Sequence, residues 1–382
     1  MSEFKNLPSG WRVVRLGDVC EINPSSRKLP EKFYYIDLES VEKGILHSLK
    51  EVFLETAPSR AQRLLEKGDI LFQMVRPYQK NNFLFELNGN FVASTGYAQI
   101  RTKQNRDFIF QYLNFDTFTK KVIEKCTGSN YPAINASVFS NLMILLPPVD
   151  EQEKIAEILS TWDEAINLTI NLIENKKQFK KALMQNLLTA KIRFPQFQDE
   201  WKEIRLAETC RKINSNLTLN NLSSNHKFPT YDANGLVGYS DFFAFNREYI
   251  TIVKDGAGVG RVRLVNGMTN FISTMMGIIN RENSNIVFLN YIFKSINFNK
   301  FITGSTIPHI YFKNYSNIII KLPNLNEQQK IAEVLTACDD EINLLNLKLE
   351  NLKKQQQGLM QKLLSGNIRT KVKGGKNVKM DD

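Results

Sequence analysis

The chain contains one helical segment twice. Residues 151–170 read EQEKIAEILSTWDEAINLTI and residues 327–346 read EQQKIAEVLTACDDEINLLN, with eleven of twenty positions identical at a constant offset of 176. A repeat of this period constrains the fold before any other feature, because each copy is one unit of a repeated architecture. Upstream, CTGSNYPAINASVFSNLMILLPP (126–148) aligns with ITGSTIPHIYFKNYSNIIIKLPN (302–324); downstream, ALMQNLLTAKIR (182–193) aligns with GLMQKLLSGNIR (358–369). A second register, at an offset of 190, relates WRVVRLGDVC (11–20) to WKEIRLAETC (201–210). Between these anchors the similarity nearly vanishes. The fall in offset from 190 to 176 makes the second variable middle fourteen residues shorter. The chain therefore divides into a variable unit (1–150), a constant helix (151–190), a linker (191–200), a second variable unit (201–326), a second constant helix (327–366) and a basic tail (367–382).

The constant segments are helices by pattern. Apolar residues recur at alternating steps of four and three at Ile155, Leu159, Trp162 and Ile166, continuing at Ile173, Leu183 and Leu187; the second copy runs Ile331, Leu335, Cys338, Ile342, Leu345, Leu349 and Leu352. This 3.5-residue period is a coiled-coil seam rather than a broad globular face. Lys176, Lys180 and Gln356 interrupt it, which either sets the register or faces a partner. Asp150 and Asn326 are the expected caps, with Glu153 and Gln329 completing capping boxes. Forty helical residues span about 60 Å, whereas a unit of about 125 residues has a radius of gyration near ~14 Å. The second variable unit cannot easily return the chain along a full helix, so the two helices are expected to run antiparallel, as a rod with a globular unit at each end and a pseudo-two-fold axis. The tail GNIRTKVKGGKNVKMDD should then lie near the N-terminal segment, with KIRFPQFQDEW (191–201) as its covalently closed counterpart.

Both variable units read as mixed α/β, giving an α+β chain of two α/β domains in tandem. KGDILFQMV (67–75) and YITIVKDG (249–256) are short strands entering loops. NFVASTGYAQI (90–100) and NFISTMMGII (270–279) are further strands, and RDFIFQYLNFDTFTKKVIEK (106–125) and NIVFLNYIFKSINFNKFI (285–302) are helical. The loops mix basic, amide and aromatic side chains: Arg76, Tyr78, Gln79, Lys80, Asn81 and Asn82 in the first unit, and Lys254, Arg261, Arg263 and Asn270 in the second. Such residues suit DNA, where arginine reads guanine, amides read adenine and lysine holds phosphate; they are equally the ordinary content of polar loops. The recurring turns TGSN-YP and TGST-IP add Ser129, Asn130 and Tyr131, and Ser305, His309, Tyr311 and Lys313. They offer hydroxyls and amides to a phosphate, or serve only as turns into the last strand.

The net charge of +11 favours a polyanionic partner. No run of eighteen apolar residues marks a membrane span, and the first residues lack the apolar core of a secretory signal. Cys20, Cys126, Cys210 and Cys338 are far apart, which fits a reducing cytoplasm better than a zinc site or a disulfide framework. There is no phosphate loop; GAGVGR (256–261) lacks the Lys-Ser/Thr and reads as a tight loop. His47, His226 and His309 are isolated from any metal-ligand spacing, and Asn23-Pro24-Ser25 falls short of a base-methylating motif. No catalytic, cofactor-binding or metal-binding residue is expected.

LPPVDEQEKIAEIL (146–159) and LPNLNEQQKIAEVL (322–335), each preceded by a unit opening on WRVVRL or WKEIRL, resemble the specificity subunit of type I restriction–modification systems. The resemblance covers about residues 10–370. It implies that 1–150 and 201–326 are target recognition domains, each reading one half of a bipartite site in double-stranded DNA. It also implies that the helices, with Ile155, Leu159, Trp162, Ile166, Ile331, Leu335, Cys338 and Ile342 on their seam, separate the two domains and dock two modification subunits. Those subunits would bind S-adenosylmethionine and methylate adenine, and restriction subunits would add ATP- and Mg-dependent translocation and cleavage. The specificity subunit itself carries no catalytic residue. Dissimilar variable units imply an asymmetric site. The alternatives are a subunit of a methylation-only complex and a coiled-coil adaptor that does not bind DNA; binding by the adaptor would depend little on salt, whereas DNA binding weakens steeply as salt rises.

Overall fold

The computed structural model describes residues 7–25 and 28–370; residues 371–382 of the expected basic tail lie outside this range. Two helices of 40 residues each, Val149–Leu188 and Leu325–Leu364, carry the repeat. The chain packs into two compact units, one formed by residues up to 170 with those from 348 onward, the other by residues 171–347. Each unit therefore contains the start of one long helix and the end of the other. Within each unit these two pieces run antiparallel. In the first, Glu151 pairs with Arg369 and Asp163 with Gln356; in the second, Glu327 pairs with Arg193, Asp339 with Lys180, and Glu341 with Lys176.

The seam follows the heptad. Ile155, Leu159 and Ile166 are buried in the first unit, and Ile331, Leu335 and Ile342 in the second, whereas Trp162 and Cys338 are half-buried. The polar interruptions have internal partners. Gln356 Nε2 donates to Asp163 Oδ1 at 2.6 Å, and buried Gln111 donates to Asp163 Oδ2 at 2.5 Å. At the matching place in the second unit Lys180 pairs with Asp339, which also accepts from the Tyr291 hydroxyl at 2.8 Å. A repeated aspartate thus joins both long helices to the domain helix beside them, through amides in one unit and a cation and a phenol in the other.

The caps differ from the expectation. In the second long helix the Asn324 side chain accepts from the Glu327 N–H at 2.9 Å; in the first, the Pro148 carbonyl accepts from Glu151 and Gln152. Asp150 and Asn326 lie inside the first turn, where their sequence spacing had suggested the boundary itself. Proline fixes an extended entry at both sites, so the helix starts as soon as the proline-bearing segment ends.

In the first unit, strand Arg12–Arg15 pairs antiparallel with Met143–Leu146 and closes the domain. An antiparallel sheet runs in the order Cys20–Ile22, Tyr97–Thr102, Ile70–Gln73, Phe83–Leu84. Ile70–Gln73 is buried at every residue, which explains its unbroken apolar reading. A second sheet runs Lys50–Phe53, Lys32–Ile36, Phe91–Ser94, Ala61–Leu64, with Phe91–Ala93 parallel to Tyr34–Ile36. Helices Arg106–Asn114 and Asp116–Glu124, parted at Phe115, supply Phe108, Tyr112 and Phe118 to a core with Phe72 and Phe139.

The second unit repeats this plan where sequence similarity is lost. Lys202–Arg205 pairs with Ile319–Leu322. The main sheet runs Cys210–Asn214, Met275–Asn280, Tyr249–Val253, Val262–Val265. The second sheet has three strands, Leu236–Ser240, Phe228–Tyr231 and Asn270–Phe271, the last two again parallel. The fourteen missing residues correspond to the lighter second sheet and to the small hairpin Val41–Glu42/Ile45–Leu46 of the first unit. Helix Ile286–Ser295 occupies the place of Arg106–Asn114.

The repeated Glu-Gln pair that opens each long helix is an internal clasp. Glu151 is 1% exposed; its carboxylate accepts from Trp11 Nε1 at 2.9 Å and from Arg369 Nε and Nη2, both at 2.8 Å. Glu327, also 1% exposed, accepts from Trp201 Nε1 at 3.0 Å and from Arg193 Nε and Nη2 at 3.0 and 2.8 Å. Gln152 and Gln328 each donate to the proline carbonyl five residues earlier and accept from the N–H of Asn105 or Asn285, the cap of the domain helix. The described part of the tail thus meets the start of the first unit, and 191–201 closes the second unit in the same way. A buried carboxylate stripped of its guanidinium is an uncompensated charge. Arg369→Met should therefore lower stability by about 3 kcal/mol, and adding Glu151→Met should restore part of that loss. Urea unfolding of the two variants checks this; simple additivity would contradict it.

Candidate nucleic-acid interface

In the first unit the chain leaves strand Ile70–Gln73 and makes a single 3₁₀ turn, Pro77–Gln79. Pro77 sets the turn's first dihedral, while Arg76 and Lys80 on either side take left-handed φ values of 54° and 53°. The return is fixed by amides. Asn82 Oδ1 accepts from the Gln73 N–H at 2.8 Å, its Nδ2 donates to Asn114 Oδ1, and Gln73 Oε1 accepts from the Asn81 N–H. Asn81 Oδ1 accepts from the Lys43 N–H, and Gln79 from Gln73 Nε2. Lys80 is tied to Asp116 and donates to the Asn114 carbonyl.

The turn 127–132 lies against this loop. Val75 forms a bridge with Ala133, and the Arg76 N–H donates to the Pro132 carbonyl at 2.7 Å. The Arg76 guanidinium lies 4.2 Å from the centroid of the Tyr131 ring. Tyr131 is 64% and Tyr78 51% exposed, and Ser129 and Asn130 are exposed beside them. Two stretches separated by about fifty residues of sequence therefore form one edge.

The second unit builds the same edge from different side chains. The Gly256 N–H donates to the Pro308 carbonyl at 3.0 Å and Asp255 bridges His309, matching Arg76–Pro132 and Val75–Ala133. His309 Nδ1 lies 2.8 Å from Asp255 Oδ1. The His309 ring stacks on exposed Tyr311, over which Lys313 also lies; Ser305 is exposed and Lys254 half-buried. Arg261 donates to the Ala233 carbonyl at 2.5 Å. Arg263 sits on strand Val262–Val265 and, with Arg261, Tyr291 and Lys294, lines a cavity of about 410 Å³. Burial lowers the Lys294 pKa there.

The candidate residues thus divide. Exposed Tyr78, Ser129, Asn130 and Tyr131 share one edge with half-buried Arg76, and exposed Ser305, Tyr311 and Lys313 share the other with half-buried His309. Asn82 and Asn270, each 1% exposed, spend their amides inside the fold; Asn270 donates to the Phe242 carbonyl and accepts from the Phe271 N–H. The contact of Asp255 with His309 has no local signal in the sequence, because the two lie more than fifty residues apart; the equal placement of the two turns is what hints at it. The Cys20 and Cys210 thiols, pushed up by burial to about 11 and about 12, are not thiolates near neutrality. Among the described residues no cluster of metal-ligating side chains occurs, and no helix is long and apolar enough to cross a membrane.

Two units of related topology, each bearing a differently furnished loop edge, define a two-module protein. The family described as "Type I restriction modification DNA specificity domain" matches residues 8–176 and 198–354, and the chain belongs to that family. It is a specificity subunit and not a catalytic one. Among its relatives is the type I restriction enzyme MjaVIII specificity subunit of Methanocaldococcus jannaschii, 23% identical, with 96% of this chain and 94% of that protein aligned. A solved chain from work on complex assembly and conformational transition of the type I restriction–modification system is 24% identical, at a TM-score of 0.62, covering 95% of this chain and all of that one. The HsdS subunit from Thermoanaerobacter tengcongensis is 25% identical, at a TM-score of 0.50, covering 96% of this chain and all of that one.

The internal and external polar residues should separate in solution. Asn82→Ala leaves the Gln73 N–H without its acceptor and should cost about 2 kcal/mol; Tyr131→Ala, at an exposed site, should cost less than about 0.5 kcal/mol. Urea midpoints of the two variants compare them, and equal losses would refute the division.

Proposed function

We propose that the chain reads a bipartite, asymmetric site in double-stranded DNA, one half-site per unit, and docks two modification subunits together with restriction subunits. The observation that carries this reading is that the same scaffold edge holds Arg76, Tyr78 and Tyr131 in one unit and Asp255, His309 and Tyr311 in the other. Related scaffolds with unlike edges are what two readers of unlike sequences require, since specificity comes from side chains at base edges. The domain limits proposed are 1–150 and 201–326 for the recognition domains, with 151–190 and 327–366 as helices between them. The basic surplus supports a polyanionic target. S-adenosylmethionine, ATP and Mg belong to the partner subunits.

The helices support docking through apolar side chains that they leave in water. In the second unit Leu172 and Phe179, one heptad apart, and Leu344 and Leu347, one turn apart, are exposed; in the first, Leu168 is exposed. Exposed leucine and phenylalanine in series on a helix face fit partner helices better than solvent. A methylation-only complex would use the same surfaces, and its partners alone distinguish it.

Two experiments test the reading. Exchanging residues 201–326 for another family member's domain should change one half-site of the methylated motif, read by genome-wide methylation mapping after co-expression with modification subunits. A change in both half-sites would refute independent readers. Deleting one heptad from each helix, 166–172 with 342–348, should alter the gap between the half-sites and leave both sequences intact. An unaltered gap with active methylation would refute the helices as the spacer.

A further inference from the structure

We propose that Arg76 reads a guanine in the half-site recognised by the first unit. The inference rests on that unit being a DNA reader and adds which residue determines one base pair.

The first ground is conformational. Arg76 has φ of 54°, a left-handed value that residues with a Cβ rarely adopt. The second unit places Gly256 at the same point, with the same backbone bond to a turn proline and φ of 90°. A Cβ built on Gly256 meets nothing within 4 Å, so this point of the edge is open space. Glycine satisfies the backbone more cheaply there. An arginine kept where glycine serves the scaffold is accounted for by what its side chain does, and backbone strain of this kind gathers at functional sites.

The second ground is the state of the guanidinium. It lies over the Tyr131 ring, with Cζ 4.2 Å from the centroid. Its Nε is enclosed without a partner, and the side chain makes no hydrogen bond or ion pair among the described residues. The neighbouring cation, Lys80, is held by Asp116 and by the Asn114 carbonyl. The loop therefore ties down its lysine and leaves its arginine without a polar partner among the described residues, set against an aromatic face. On a loop edge offered to the major groove, two parallel N–H groups of the fork match the O6 and N7 acceptors of guanine. The same fork also fits a phosphate, which a change of motif rather than of overall methylation distinguishes.

The test is genome-wide methylation mapping of the full chain co-expressed with its modification subunits, as wild type, Arg76→Gly and Arg76→Lys. Arg76→Gly restores the residue the second unit uses and suits the backbone; thermal unfolding of each purified complex confirms folding. In the half-site that exchange of 201–326 leaves intact, the wild-type motif should specify a guanine. In Arg76→Gly that position should accept any base, with discrimination falling about ten- to a hundredfold, while the other half-site and the gap stay fixed. Arg76→Lys, lacking the planar fork, should relax the same position. An unchanged motif, or relaxation at an A·T pair, overturns the guanine assignment and leaves the first unit as a reader. A uniform fall in methylation with no change of motif makes Arg76 a phosphate contact and overturns it too. Altered specificity in both half-sites, or no methylated motif in the wild type, defeats the underlying two-reader proposal instead.

Discussion

The buried carboxylate at the head of each long helix is the interaction on which the rest of the structure depends. Glu151 and Glu327 each gather a tryptophan from the start of a domain and an arginine that follows the end of a long helix. Taking such a charge out of water is costly unless every lone pair finds a donor, and a bidentate arginine with an indole N–H provides that. The geometry therefore fixes three segments against one another: the entry into the domain, the exit from it into the helix, and the returning chain. The neighbouring Gln152 and Gln328 extend the lock to the cap of the domain helix. The order of the three residues along the chain differs between units, Trp11–Glu151–Arg369 in one and Arg193–Trp201–Glu327 in the other. The repeat is thus cyclic, and the segment 191–201 does for the second unit what the described part of the tail does for the first.

This arrangement separates what must stay the same from what can vary. Clasp, seam and the aspartate between helices and domain are supplied by repeated residues or by substitutes that make the same contacts, as Gln111 and Gln356 do for Asp163 where Tyr291 and Lys180 serve Asp339. The loop edges are carried by strands that keep their pairing while their side chains change. The side chain at this point of the edge can change without disturbing the domain, because Arg76 and Gly256 share the same left-handed backbone.

Much of the fold was legible in the sequence because identity at a fixed offset survives where composition says little. The helices, the strands within 67–75 and 249–256 and the helical stretches after them follow local periodicity, and the antiparallel run within each unit follows from helix length and chain connectivity. Three features were not legible. Asn82 and Asn270 carry the chemistry of adenine readers, and nothing local reveals that the fold buries them. The joining of the Arg76 loop to the Tyr131 turn is a non-local pairing through Val75 and Ala133. The clasp needs three segments that only the closed fold brings together, so the Glu-Gln repeat could be read as a signature but not as a contact. The seam-breaking Lys180 and Gln356 were open to two explanations, and internal partners now account for both.

The most direct measurement is the motif methylated by the unaltered chain when it is co-expressed with its modification subunits. Two readers of unlike edge chemistry predict two short, different half-sites separated by a fixed run of unspecified base pairs. A single contiguous motif, or two half-sites that are inverted copies of each other, would contradict that account.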